Sequence, residues 1–146
     1  MFSHSTILPI ELITIEDDGL HLIVKASINT KICKMLIDTG ASRTVFDQTR
    51  ILQFVDATEF EKHDKLSTGL GTDSMPTSST ILENFTIGEI LVPDFKAVLL
   101  DLSHVNSSYE KMGYDPIDGV LGSDILNKLK AIIDYPKLML KLKRLK

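Results

Sequence analysis

Residues 36–42, LIDTGAS, place one carboxylate, Asp38, behind an apolar run and in front of Thr39, Gly40, Ala41 and Ser42. A strand ending this way holds an acid at the rim of a hydrophobic floor, where ionisation is penalised unless the carboxylate has partners. Such an acid is suited to general acid–base work on a bound water. The bland alternative is a turn in which Asp38 hydrogen-bonds nearby backbone and Gly40 supplies an unusual φ. About eighty residues later, Asp118-Gly119-Val120-Leu121-Gly122-Ser123-Asp124-Ile125-Leu126 runs two apolar residues and a glycine into helical spacing. Between the two stretches lies a glycine-bearing loop, Ser67-Thr68-Gly69-Leu70-Gly71-Thr72.

The elements that must position these residues read mostly as strands. Residues 6–15 and 20–29 are rich in β-branched side chains and flank Asp17-Asp18-Gly19, a hairpin-type turn. A second reversal near Asn29-Thr30 leads into 31–38 and so to Asp38. Runs 77–83, 85–92, 95–102, 131–135 and 138–143 follow the same pattern, with turns marked by Gly88, Pro93 and Pro136. Helical spacing covers 123–130, where Ser123 is placed to cap and Ile125, Leu126 and Leu129 share a face. A shorter helix from Phe46 to about Leu52 is compatible with the pattern. Segments 58–76 and 103–117 are polar and read as exposed loops or mobile hairpins suited to substrate contact. The expectation is an all-β, single-domain chain, 1–146, of barrel or sandwich type, with one short helix in its C-terminal half.

Composition narrows the function classes. The 146 residues suffice for one core, and 43% apolar with 25% charged residues is the make-up of a soluble globular protein. A net charge of -4 gives no electrostatic basis for binding nucleic acid or an anionic membrane, and no apolar run nears the length of a membrane span. The single cysteine, Cys33, leaves no internal disulfide, and MFSHSTILPIELI lacks a basic leader region, so a reduced, cytoplasmic setting is expected.

Taken together, Asp38-Thr39-Gly40, Val120-Leu121-Gly122 before a helix, the glycine loop between them and the closing AIIDYPKLMLKL resemble the retropepsin-like aspartic proteases. The resemblance covers most of the chain, from Asp17-Asp18-Gly19 to the final strand pair. It implies a closed acid-protease barrel and an endopeptidase that hydrolyses extended polypeptide without a cofactor. It also implies Asp38 as the catalytic residue, Thr39 locking two opposed turns, Gly40 and Ala41 completing the turn, and Val120, Leu121 and Gly122 bracing it. Gly69, Leu70 and Gly71 would form the tip of a flap that closes over substrate. Hydrolysis of this kind needs two carboxylates around one water, one taking its proton while the other polarises the scissile carbonyl. The chain has a single Asp-Thr-Gly, so a two-fold homodimer is expected to bring two copies of Asp38 together at its axis. Carboxylates held ~3 Å apart share one proton, and activity is expected to be bell-shaped in pH.

Departures from the pattern carry expectations too. Ala41 stands where pepsin-like relatives have a hydroxyl residue, which favours mild over strong acid. Ser42 and Ser123 stand where retroviral enzymes carry an aspartate and its arginine partner, so both ends of that ion pair are missing together. Arg43 reads as a solvated surface residue rather than a partner of Asp47 or Asp124. His4, His21, His63 and His104 lack metal-ligand spacing with one another or with Cys33, so no metal site is expected, and Cys33 reads as a small apolar core residue. A dinucleotide fingerprint would need a third glycine at Ser74. The tail KLMLKLKRLK alternates like a half-buried strand with edge lysines. A rival reading keeps the fold without the chemistry: a dimeric peptide-binding or scaffolding module in which Asp38 only orders its turn.

Overall fold

The computed structural model describes residues 4–15, 19–63 and 77–144. The expected flap tip at Gly69, Leu70 and Gly71, and the turn residues Asp17 and Asp18, lie outside these. The strand that carries the Asp38 turn belongs to a long hairpin, β3 (Gly19–Ile28) with β4 (Lys31–Ile37), reversed at Asn29 and Thr30, whose φ values are 51° and 69°. Two successive positive φ angles give the turn a twist that matches the flanking strands. Along β4 the side chains alternate strictly: Cys33, Met35 and Ile37 face the core, while Lys34 and Leu36 point to the other face.

The chain reaches β3 through β1 (Ser5–Pro9) and β2 (Glu11–Ile15), and leaves β4 for β5 (Val45–Asp47). Further on come β6 (Glu61–His63), β7 (Thr77–Leu82), β8 (Phe85–Ile87), β9 (Ile90–Val92) and β10 (Phe95–Leu100). The C-terminal part holds α1 (Ser103–Lys111), β11 (Gly119–Leu121), α2 (Ser123–Lys128), β12 (Ile132–Asp134) and β13 (Met139–Lys143). One sheet runs β6-β7-β10-β5-β11-β4-β3-β8-β9, with β2 also on β3. The long β3 shares its outer edge, giving Gly19–Ile23 to β2 and Ser27–Ile28 to β8. Strands near both ends of this path contribute to one core: Leu82 and Leu99 join Phe85, Ile87, Ile90 and Val92 in the cluster that holds Met35 and Phe46. The Phe85 ring lies 5.5 Å from Phe46 and 5.7 Å from Phe95. The all-β fold expected from the strand pattern is therefore the observed one.

A separate three-stranded sheet, β1-β13-β12, seats the tail. Leu8, Leu140 and Ile133 stand in one row, and Leu140 and Leu142 are buried while Lys143 is exposed, as the alternation of the tail requires.

Three local expectations are corrected. Residues 6–15 form two strands, because Pro9 has no N–H to continue a ladder; the next N–H, on Ile10, is bonded to the Leu138 carbonyl and the chain then joins β3. Residues 46–52 are β5 followed by a single 3-10 turn at Arg50–Gln53, since the Asp47 carboxylate accepts the N–H groups of Thr49, Arg50 and Leu102 at 3.1, 2.8 and 2.8 Å and stops a helix from starting earlier. Segment 103–117 is neither an exposed loop nor a hairpin but begins with α1, so the described residues hold two α-helices rather than one.

The apolar stripe of α1, with Leu102, Val105, Tyr109 and Met112, covers the second face of the sheet and packs with Ile13, Ile15, Ile23, Ile117 and Val120. Tyr109 is fully buried, its hydroxyl 2.7 Å from His21 Nδ1, and burial pushes its phenol up to about 12. The folded chain thus holds this proton more tightly than the unfolded one, in which tyrosine titrates near ~10. Its contribution to stability is complete below about pH 10 and is lost as pH rises toward about 12. Thermal unfolding of Tyr109→Phe is accordingly expected to show a shallower alkaline decline than the parent; identical slopes would show that Tyr109 has no such role.

Candidate active site

β11 is inserted between β4 and β5, parallel to the first and antiparallel to the second: Val120 stands opposite both Leu36 and Val45. The two strands joined by the Asp38 turn are thus held apart by a third that arrives from far along the sequence. The turn is tied down from this side. The Asp38 N–H donates to the Leu121 carbonyl at 3.0 Å, the Ser123 N–H to the Ala41 carbonyl at 2.7 Å, and the Gly122 N–H to the Thr44 hydroxyl at 2.9 Å. Within the turn, the Ala41 N–H reaches the Asp38 carbonyl at 3.1 Å and the Gly40 N–H reaches Asp38 Oδ1 at 3.0 Å.

Gly40 does not adopt a positive φ, so its value here lies in the N–H it aims at the carboxylate rather than in an unusual backbone angle. Gly122 is required by closeness. A Cβ there would stand 2.7 Å from the Arg43 carbonyl carbon and oxygen and 2.9 Å from the Ala41 oxygen. Leu121, Gly122 and Ser123 therefore meet the 38–44 segment through their backbone, Val120 pairs with Leu36 and Val45, and Ala41 packs on the cluster under α1.

Asp38, Thr39 and Gly40 are exposed in the single chain, so the floor of Met35 and Ile37 lies beneath the acid without enclosing it. The other acids of this region behave differently. Asp47 is buried with three backbone donors, and Asp118, also buried, accepts the Lys34 N–H at 2.8 Å and Arg50 Nε at 2.8 Å. Lys34 Nζ in turn lies 2.9 Å from Asp115, whose carboxyl its hydrogen bond and charge hold below the usual range. Arg43 is exposed, and Asp124 is engaged elsewhere: its carboxylate accepts the Thr44 N–H at 3.0 Å and the Thr44 hydroxyl at 2.7 Å. Thr44, Asp118, Arg50 and Asp124 escaped the sequence reading as parts of the site. An acid on either side of GVLGS, at Asp118 and Asp124, was the available signal.

Among the described residues no group of three or more His, Cys, Asp or Glu side chains is placed to hold a metal. Cys33 is buried in β4 and burial pushes its thiol up, away from reactivity.

A model of the family described as aspartyl protease matches residues 24–125, from within β3 to the start of α2. The chain belongs to the aspartyl protease family. No curated protein matches it by sequence. Among solved structures, a retropepsin-like aspartic protease from Rickettsia conorii superposes with a TM-score of 0.58 at 22% identity, covering 99% of this chain and 96% of the other. The retroviral protease-like domain of Ddi1 from Leishmania major gives 0.58 at 15% identity, over 86% of this chain and 90% of that one. The fold is retropepsin-like. In this member of the aspartyl protease family the residues expected to act as flap fall between β6 and β7, outside the described residues. At the positions of the missing retroviral ion pair, Ser42 is exposed and Ser123 half-buried, and the adjacent Thr44–Asp124 contact ties the same two segments.

Proposed function

We propose that this protein is an aspartic endopeptidase acting as a homodimer on extended polypeptide, with Asp38 of each protomer supplying one of two carboxylates around a single water. The observation that carries the reading is the contrast among its acids. Asp47 and Asp118 are buried, and each receives donors on both carboxylate oxygens, as structural carboxylates should. Asp38 sits on a turn tied to residues 121–123 by three hydrogen bonds yet is itself exposed. A bracing device this close serves an acid that must be held still and remain accessible.

In this reading the ionised Asp38 takes the proton of the attacking water while the protonated one donates to the scissile carbonyl, and the roles reverse as the amine leaves. Gly40 orients the carboxylate through its N–H, and the Thr39 hydroxyl locks the opposed turn of the partner. Gly69, Leu70 and Gly71 cover the substrate, whose backbone adds to the cleft strands as an extra strand. No metal or cofactor enters this scheme. The single buried cysteine accords with a reduced, cytoplasmic location, which is part of the proposal.

Digestion of a mixed peptide library by the purified protein, read by mass spectrometry across about pH 3–8, tests the reading. Internal cleavage with a bell-shaped profile peaking above about pH 3 is expected, given Ala41 at the turn. Peptide binding without hydrolysis at every pH would instead make the protein a dimeric recognition module.

A further inference from the structure

The two serines at positions 42 and 123 leave a question: what fixes the Asp38 turn against the strand that braces it, once an ion pair there is absent? The hydrogen-bond directions answer it. Gly122 N–H can only donate, so at 2.9 Å the Thr44 hydroxyl must accept from it. That hydroxyl has one proton, and the acceptor aligned for it is Asp124 Oδ1 at 2.7 Å. The same carboxylate takes the Thr44 N–H on both oxygens at 3.0 Å and the Ile125 N–H at 2.8 Å. Thr44 is fully buried, whereas Asp124 is open on its outer side. The result is a directed chain, Gly122 N–H to Thr44 O–H to the Asp124 carboxylate, in which each bond polarises the next.

We propose that Thr44 and Asp124 are positioning residues: they lock Gly122 and Ser123 onto the 38–44 turn and so fix where Asp38 stands. The locked segment is the one whose carbonyl, on Leu121, receives the Asp38 N–H, and whose Ser123 N–H holds the Ala41 carbonyl. A charge-assisted clasp, two residues beyond position 42 and one beyond position 123, thus does the bracing for which positions 42 and 123 lack the means. Because two Asp38 carboxylates must share one water and one proton, a shift of about 1 Å in either turn is enough to cost ~100-fold in rate. Neither residue touches substrate; both act through the turn. The inference rests on the proposed protease reading for its kinetic consequence, but not for its structural one.

The test compares the parent protein with Thr44→Val, which keeps shape and removes the hydroxyl, Thr44→Ser, which keeps the hydroxyl, and Asp124→Ala. Thr44→Val and Asp124→Ala are expected to lower kcat by about 10–100-fold with KM changed less than about threefold, and to move the two limbs of the pH profile toward each other as the carboxylates lose their fixed spacing. Thr44→Ser should recover most of the loss. Wild-type kcat and pH limbs per folded molecule in Thr44→Val would overturn the proposal, since a merely structural role lowers only the melting temperature. If the parent cleaves nothing, the protease reading fails while the clasp is still judged by amide hydrogen exchange. Faster exchange in Thr44→Val at Gly122, Ser123 and Asp38, with β13 unchanged, supports it, and unchanged exchange at those three amides rejects it. Should Thr44→Val not fold, the same readouts on Asp124→Asn against Asp124→Ala decide.

Discussion

Asp38→Asn is expected to lower peptide cleavage by at least about 1,000-fold while leaving the fold and self-association intact. The amide is the same size as the acid, and its oxygen can still accept the Gly40 N–H that Asp38 Oδ1 accepts at 3.0 Å. The backbone bond from residue 38 to the Leu121 carbonyl is untouched. What is lost is the capacity to take a proton from water. Mixing separates this from an ordinary single-chain active site. After subunit exchange, wild-type chains diluted into an equal amount of Asp38→Asn should each retain about half their activity, and with a ninefold excess of the variant about a tenth, because hybrid dimers contain one acid only. Activity per wild-type chain that ignores the variant would place the whole catalytic centre within one protomer and sink the symmetric arrangement.

Gly122→Ala is expected to destabilise the protein by about 3 kcal/mol, near the upper end for adding a single methyl. The backbone at Gly122 is extended, with φ −98° and ψ 179°, so the conformation is one that alanine adopts freely. The cost is steric, and the colliding atoms are main-chain atoms of Arg43 and Ala41 at 2.7–2.9 Å that cannot swing aside. Relief requires β11 to separate from the turn, which breaks the bonds from Gly122 to Thr44 and from Ser123 to Ala41. Gly113→Ala is the matching control: its φ of 80° makes alanine unfavourable there, but nothing lies within 4 Å, so a loss of only about 1 kcal/mol follows. Urea unfolding of the two variants should give clearly different midpoints at similar slopes. Equal midpoints would mean that the turn yields to the methyl group, and the bracing described at Gly122 would be lost with it.

The parts of this fold that could be read from sequence are those written in local patterns. The β3–β4 hairpin announced itself through Asn29-Thr30 between β-branched runs, and β13 through the strict alternation of leucine with lysine. Asp38 and Gly122 stood out because an acid behind an apolar strand and a glycine before a helix are costly choices without a purpose. α1 was hidden by its composition. Serines, His104, Glu110 and Lys111 crowd its exposed side, and only the spacing of Leu102, Val105, Tyr109 and Met112 betrays a helix. The split at Ile10 is masked by the β-branched residues on both sides of Pro9, and its one local signal is the N–H that Pro9 lacks. Asp118, Thr44 and Asp124 could not have been assigned from spacing alone. Their partners are 68 to 84 positions away, at Arg50, Gly122, Thr44 and Lys34, and only the insertion of β11 brings them together.

That insertion also sets an order of events as the chain is made. The turn bearing Asp38 is translated early, but the strand that must slide between β4 and β5 emerges some eighty residues later, so its closure is a long-range, entropically slow step. Nascent chains that stop short of β11 leave the turn bearing Asp38 without its third strand, and the turn is fastened only once residues 119–123 have left the ribosome.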